Sequence, residues 1–240
     1  MANLTVSLAR VRDAIVACER CGRLRRYCAD VAQTKRAAFR HETYWAKPVP
    51  GFGDPQAVIA LVGLAPAAHG ANRTGRNFTG DGPGGSGDFL MRALHAHGLA
   101  SQPFSRSADD GLTLHRTWIA AAVRCAPPGN KPAPSEIRAC HDHLRAELDA
   151  LPALLVYVAL GRIAFDACLR LVAERDPIRS GRPVFRHGAV YRPHRAPAIV
   201  ASYHPSRQNT QTGCLTAAML STVFRRAVRL AGFSTPSAAR

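Results

Sequence analysis

The sequence predicts a three-layer α/β/α fold built on a central, mainly parallel, four-stranded sheet. Four short, continuous apolar runs have the composition of strands that are covered on both faces. Amphipathic helical patterns separate these runs along the chain. Alternation of strand and helix is typical of a parallel sheet sandwiched between helices, so we expect an α/β protein.

The elements can be placed along the chain before any function is considered. The predicted strands cover residues 57–64, 118–124, 154–160 and 198–203. Helices are predicted from Ser86 onward and over 134–149, 162–174 and 213–231. A helical segment at residues 1–30 precedes the sheet, and we expect a single domain over 1–232 with a tail at 233–240.

The charge balance is strongly basic. The 240 residues include 32 Lys+Arg against 16 Asp+Glu, a net charge of +16, and only Lys35, Lys47 and Lys131 are lysines. Guanidinium groups match phosphate oxygens and base edges, so this balance favours a nucleic-acid partner. A coding bias toward arginine remains an alternative explanation of the charge alone.

The chain has the composition of a cytoplasmic protein without membrane association. Its most apolar run, residues 151–160, is shorter than the roughly 20 residues that a membrane span requires. The N-terminal segment carries charged residues where a signal peptide needs an apolar core. Because cytoplasmic thiols stay reduced, the seven cysteines are better explained by ligation than by disulfides.

The cysteines divide into two groups. Four of them could supply thiolates to one zinc ion or [4Fe–4S] cluster, since soft sulfur ligands suit both: Cys18, Cys21, Cys125 and Cys140. Burial as small hydrophobic residues is the alternative, and we favour it for Cys168 and Cys214. Cys28 is a rival ligand.

The most unusual loops follow the predicted strands. They read GLAPAAHG from residue 63, RCAPPGNKP from residue 124 and HPSRQN from residue 204. Because ligands of open α/β sheets gather beyond the carboxyl ends of the strands, we expect the functional site at this edge of the sheet.

Three longer motifs carry a family resemblance. GLAPAAHGANRTGRNFTGD (63–81), AAVRCAPPGNKPAPSEIRAC (121–140) and HPSRQNTQTG (204–213), together with the N-terminal CERC, resemble the type-5 (family-5) uracil-DNA glycosylases. Residues 38–55 and the DDGLTL stretch at 109–114 also fit. The resemblance implies a uracil-DNA glycosylase-like fold and a monomeric, monofunctional enzyme that removes uracil from DNA by hydrolysis of the N-glycosidic bond.

The resemblance also assigns a cofactor. It implies a [4Fe–4S] cluster with four cysteine ligands, which correspond here to Cys18, Cys21, Cys125 and Cys140. Cys28 matches none of the ligands of the family pattern. In such enzymes the cluster is structural, so we expect it to tie the N-terminal helical segment to the sheet.

The first motif supplies most of the expected base-binding residues. A glycosylase must flip the base out of the duplex and hold it in a pocket. Small residues allow backbone amides to approach the flipped nucleotide, and we assign this role to Gly63, Ala65, Pro66 and Ala67. Phe78 is expected to stack on the base, with a position in the core as its alternative.

Three side chains are the expected catalytic groups. Asp81 would stabilise the cationic sugar or position water, with a loop-bracing role as its alternative and Asp88 as a lesser rival. His204 would donate a hydrogen bond to the uracil oxygen on which charge develops. Asn130 would position water or read a base edge, and a turn asparagine is its alternative.

The remaining assignments concern DNA contact and specificity. Arg73, Arg76, Ser206 and Arg207 are expected to meet the DNA backbone. Ala121 stands where strictly uracil-specific relatives carry an asparagine that reads the base, so we also expect action on hypoxanthine, xanthine or etheno-cytosine. Two other functions stay open, a non-enzymatic Fe–S redox sensor that binds DNA and a structural zinc module.

Overall fold

The structure is a computed structural model that describes residues 2–80, 82–178 and 181–234, with side chains from residue 8 onward. Residues 235–240 of the predicted tail lie outside these ranges. The strands are β1 (Phe52–Gly53), β2 (Ile59–Gly63), β3 (Thr117–Ala121), β4 (Val156–Leu160), β5 (Val190–Tyr191) and β6 (Ala198–Ser202). The helices are α1 (Ala2–Val16), α2 (Gly22–Thr34), α3 (Ala71–Thr74), α4 (Ser86–Ala96), α5 (Pro134–Asp149), α6 (Arg162–Arg175), α7 (Arg207–Gln211) and α8 (Ala217–Leu230).

The strands form one sheet in the order β1-β3-β2-β4-β6-β5. The four inner strands are parallel, which confirms the predicted α/β class and its mainly parallel four-stranded sheet. Each edge adds an antiparallel strand of two residues, β1 on β3 and β5 on β6. Two residues are too few to show a strand periodicity, so these edges had no signal in the sequence.

Both faces of the sheet are covered, which confirms the three layers. On one face, residues such as Leu61 and Val158 pack with Leu94 of α4 and Phe224 of α8. The other face packs against α5 and α6, for example through Phe165. Fully burying a side chain of this size contributes about 1.5–3 kcal/mol, so the two apolar layers dominate the stability of the fold.

The helix bounds follow local capping. Helix α5 spans the predicted 134–149 because Pro134 occupies its first turn and the Glu136 carboxylate accepts the Ala133 amide at 2.7 Å. The last helix begins at Ala217 instead of residue 213, since the Thr216 hydroxyl accepts the amide of Met219 and caps a new helix. Within the described ranges, no helix is both long and apolar enough to span a membrane.

The register of the parallel strands aligns their carboxyl ends. Gly63 at the end of β2 pairs with Ala121 at the end of β3, and Leu160 pairs with Ser202 across β4 and β6. The loops that follow therefore leave the sheet on the same side, at the carboxyl ends of the parallel strands, as predicted.

Candidate active site

Gly63 brings the chain after β2 close to an aromatic ring. A Cβ atom placed on Gly63 would lie 3.0 and 3.1 Å from two ring carbons of Phe78. This spacing is tighter than most contacts of a real Cβ atom, so a side chain at residue 63 would require the Phe78 ring to shift by a few tenths of an ångström. Phe78 itself adopts a left-handed backbone conformation, with φ of 53°, which turns its ring over the strand end.

The ring of Phe78 also contacts His204, which follows β6. The two rings are stacked, with centroids 5.9 Å apart and planes inclined by 28°. The His204 carbonyl accepts a hydrogen bond from the Asn209 side chain at 2.8 Å, and the Ser206 hydroxyl caps α7 by accepting the Asn209 amide. The predicted residues Gly63, Phe78 and His204 are thus together.

Burial lowers the pKa of His204 to about 4. The imidazole is therefore neutral at pH 7, with one N–H donor and one acceptor nitrogen. A neutral histidine can donate a hydrogen bond to an oxygen that gains negative charge without adding a buried positive charge of its own.

A cavity of about 330 Å³ is formed in part by the loops that follow β2 and β3. It is lined by residues from three places in the chain: Tyr27, Arg36, Phe39, Ala67, Ala68, His69, Gly70, Gly80, Pro127, Gly129 and Asn130. The structure therefore brings the predicted Ala67 and Asn130 together, with the exposed Asn130 in a left-handed turn. The volume is in the range of small-molecule pockets.

The expected catalytic carboxylate, Asp81, lies outside the described residues. Its neighbour in the sequence, Gly80, lines the cavity. Asp88, the lesser rival, sits in the first turn of α4, where its carboxylate accepts the Gly84 amide at 3.2 Å and lies 3.8 Å from Arg92. These contacts give Asp88 a helix-capping role.

Comparison with known proteins identifies the family. A sequence profile described as the Uracil DNA glycosylase superfamily matches residues 50–227. The chain belongs to this superfamily. It is 54% identical over 218 residues to the type-5 uracil-DNA glycosylase of Thermus thermophilus, which covers 91% of this chain and 95% of the relative. The type-5 enzyme of Mycobacterium leprae is 45% identical over 227 residues, or 94% and 96% of the two chains.

Relatives of another type are more distant. The type-4 uracil-DNA glycosylase of Archaeoglobus fulgidus is 28% identical over 159 residues, covering 66% of this chain and 70% of the relative. Within the superfamily, the sequence is therefore most like the type-5 proteins among those compared, as the motifs indicated.

The other small residues expected at the base have surroundings of their own. Ala65 packs against an apolar cluster that includes Leu24 and Val123. Pro66 is buried. Ala121 is also buried, opposite Gly63 at the sheet edge. Of these residues, Gly63 lies against the Phe78 ring, and Ala121 is its partner in the sheet.

Arg73, which is predicted to contact phosphate, is bound by protein groups in the structure. Its guanidinium donates to the Gly80 carbonyl at 2.8 Å and to the His69 carbonyl at 2.9 Å, and it pairs with Glu42. It also lies 3.9 Å from the ring centroid of Phe39. With 9% of its side chain exposed, Arg73 is engaged inside the loop.

Arg76, for which a phosphate contact is also predicted, lies in a network of protein groups. Its guanidinium lies 2.6 Å from Asp110, donates to Thr79 Oγ1 at 3.0 Å and donates to Ser105 Oγ at 2.8 Å. The Arg76 and Asp110 side chains are 8% and 9% exposed. A buried guanidinium needs such partners, and this set supplies them to Arg76.

Arg207 differs from these two arginines. It lies exposed at the first position of α7, and its guanidinium donates to the Pro83 carbonyl at 3.2 Å. This contact links α7 to the glycine-rich loop after residue 80. The expectation that Ser206 and Arg207 meet DNA stays a prediction.

The predicted ligand cysteines line one small cavity: Cys18, Cys21, Cys125 and Cys140. Cys140 accepts the Arg124 amide at 3.2 Å, and burial raises the pKa of its thiol to about 11. Within the described ranges, no group of three or more His, Cys, Asp or Glu side chains is arranged to hold a metal ion. The residue types are those of a sulfur-ligated centre, because the four cysteines line the same cavity and the Cys140 thiol accepts a backbone amide.

The other cysteines have different surroundings. Cys28 is buried beside this cavity, where its thiol donates to the Ala126 carbonyl at 3.7 Å. Cys168 is fully buried in the core, as expected. Cys214 is exposed, so the prediction that it is a core residue is wrong. It lies in the turn between α7 and α8, which the sequence pattern had assigned to the start of the helix predicted over 213–231.

The sequence analysis assigned no role to three side chains of this region. Tyr44 donates to or accepts from His69 Nδ1 at 3.0 Å, and Phe39 and Glu42 contact Arg73. All three lie in the segment 38–55, whose aromatic and polar residues fit the family pattern. The family resemblance of this segment was the signal in the sequence, but it does not indicate which side chains these residues contact.

Proposed function

We propose that this protein is a monofunctional uracil-DNA glycosylase that hydrolyses the bond between uracil and deoxyribose and leaves an abasic site. The observation that carries the proposal is the stack of Phe78 on the neutral His204, directly over Gly63. This arrangement lies at the sheet edge of a chain that is 54% identical to a type-5 uracil-DNA glycosylase.

The residues of the site divide the reaction between them. Phe78 stacks on the flipped uracil, in the place that His204 borders. His204 donates its N–H to the uracil oxygen as the leaving base gains negative charge. Asp81 stabilises the positive charge on the sugar and positions the attacking water, and Asn130 holds that water from the other loop.

We propose that the cavity lined by the four cysteines holds a [4Fe–4S] cluster. Cys18 and Cys21 belong to the N-terminal segment, Cys125 to the loop after β3 and Cys140 to α5. When bound, the cluster supplies a structural cross-link between these elements. It takes no part in bond cleavage.

The substrate is DNA that contains deaminated bases. The charge of +16 supports binding to the phosphate backbone, with Ser206 and Arg207 at the surface beside the glycine-rich loop. Because Ala121 offers no side-chain amide to the base, hypoxanthine and xanthine join uracil as substrates. The enzyme acts as a monomer in the cytoplasm.

The test uses anaerobically purified protein and a labelled duplex with one uracil, followed by alkaline cleavage of abasic sites. We expect strand scission at the uracil, loss of scission in Asp81→Asn and normal scission in Asp88→Asn, the matched control at the α4 cap. DNA binding without scission on uracil or hypoxanthine would contradict the proposal and favour the DNA-binding Fe–S sensor.

A further inference from the structure

Residues 78–80 are held in an unusual backbone conformation. Phe78 has φ of 53° and Gly80 has φ of 76°, both in the left-handed region. Phenylalanine disfavours this region, so surrounding contacts must keep it there. The segment matters because it carries the Phe78 ring and ends at the residue before Asp81.

Arg73 holds one end of this segment. Its Nη2 donates to the Gly80 carbonyl at 2.8 Å, and a Cβ on Gly80 would lie 2.6 Å from that nitrogen. Phe39 covers the guanidinium face and Glu42 pairs with its other end. These two contacts fix the orientation of the guanidinium group, with its Nη2 at the Gly80 carbonyl.

Arg76 holds the middle of the segment from the other side. Its Nε donates to Thr79 Oγ1 at 3.0 Å, while Asp110 and Ser105 bind its terminal nitrogens. The Ser105 carbonyl also accepts the Gly80 amide at 3.0 Å. Side chain and backbone of residues 79–80 are thus bound to one buried network.

We propose that Arg73 and Arg76 are positioning residues for base excision, which act by fixing Phe78 and the peptide that leads to Asp81. The inference rests on the proposed glycosylase function. Both guanidinium groups reach several acceptors at once, which the planar fork of arginine permits and the single ammonium of lysine does not. Protein groups bind both guanidinium groups, and the two side chains are only 9% and 8% exposed, which supports positioning over phosphate contact.

The experiment separates positioning from phosphate contact. Single-turnover uracil excision and DNA dissociation constants at several salt concentrations are measured for Arg73→Lys and Thr79→Val, and also for Arg73→Met, which removes the charge. Lysine keeps the charge and loses the fork, and valine removes the hydroxyl that Arg76 binds. Arg92→Gln, which removes an exposed charge on α4, is the control for charge alone.

We expect the excision rate of both Arg73→Lys and Thr79→Val to fall by about ten- to a hundredfold, because a small misplacement of catalytic groups has effects of that size. The dissociation constant and its salt dependence should match the unaltered protein. Arg92→Gln should keep the normal rate. Thermal unfolding of each variant checks that the fold is retained. If Arg73→Lys does not fold, Thr79→Val alone tests the inference.

Two results would overturn the inference. A normal rate in both variants would show that the segment needs no such support. A normal rate at saturating DNA, with weaker binding and a salt slope reduced by about one ion in Arg73→Met, would make Arg73 a phosphate contact. Absence of excision by the unaltered protein would instead remove the proposed function, and the inference with it.

Discussion

Phe78 and His204 are 126 positions apart in the chain, yet their rings stack with centroids 5.9 Å apart at the edge of the sheet. Gly63 lies against the same Phe78 ring, at the end of β2. Phe78 lies in the segment after β2, His204 lies in the loop after β6, and Gly63 is the last residue of β2. Their meeting depends on the aligned carboxyl ends of the sheet, so changes at any of them should act on the same ring position.

Gly63→Ala should slow uracil excision by about tenfold, because the new methyl group displaces the ring that positions the base. The added Cβ would lie 3.0 Å from the Phe78 ring. Single-turnover excision measures the effect. Gly22→Ala is the matched control, since a Cβ there meets no atom within 4 Å. Equal rates in Gly63→Ala and the control would contradict the role of the ring.

His204 should make the free energy of unfolding depend on pH below about pH 6.5. The unfolded imidazole titrates near 6.5, whereas burial lowers the folded pKa to about 4. Between these values the unfolded chain binds more protons, so the stability from burying the neutral ring is lost as pH falls from 6.5 toward 4. The difference in unfolding free energy between wild type and His204→Gln should shrink over this range.

Urea unfolding at pH 7.5 and pH 5 measures that difference. The activity of the wild type should show no His204 inflection near 6.5, because the ring is already neutral there. A difference that stays constant or grows as pH falls would contradict the assignment of a neutral His204.

Glu147→Gln should lower the free energy of unfolding by about 3–5 kcal/mol, because it leaves the buried Arg124 without its counter-charge. The two side chains are 2.8 Å apart and 1% and 2% exposed, and Glu147 also accepts the Gly51 amide at 2.7 Å. Urea unfolding measures the loss.

The surface pair of Arg145 and Asp142 is the control for Glu147→Gln. Its side chains are 46% and 56% exposed, so Arg145→Gln should cost about 0–1 kcal/mol. Similar losses in the two variants would show that burial does not decide the strength of the Arg124–Glu147 pair.

Cys140→Ser should remove bound iron and lower the midpoint of thermal unfolding, if the cavity holds the proposed cluster. Anaerobically purified wild type should contain about four iron atoms and four sulfides per chain. Cys214→Ser, at the exposed cysteine, should keep both. Zinc in place of iron and sulfide, or equal iron in the two variants, would contradict the cluster.

Ala121→Asn should narrow the substrate range. The new side chain stands at the end of β3, opposite Gly63, where an amide can pair with the uracil edge. A site that hydrogen-bonds its substrate rejects a base that leaves the amide unpaired. Excision of hypoxanthine relative to uracil should therefore fall, measured in matched duplexes. An unchanged ratio would show that Ala121 does not set the range.

The sequence by itself determined the parallel strands, helix α5 and the edge at which the motif loops meet. These features depend on apolar runs, helical periodicity and a proline at a helix start, all of which are local. The four cysteines proposed as ligands could also be grouped from the sequence, because the family motifs place them in order. Their shared cavity follows from the fold that those motifs imply.

Only the tertiary structure shows which protein groups Arg73 and Arg76 contact. Both read as exposed arginines in a polar, glycine-rich loop, and the sequence predicted phosphate contacts for them. Their carboxylate partners, Glu42 and Asp110, lie 31 and 34 residues away in the chain. A guanidinium shows the same chemistry toward a phosphate and a carboxylate, so only the packing of these distant segments determines which of the two it meets.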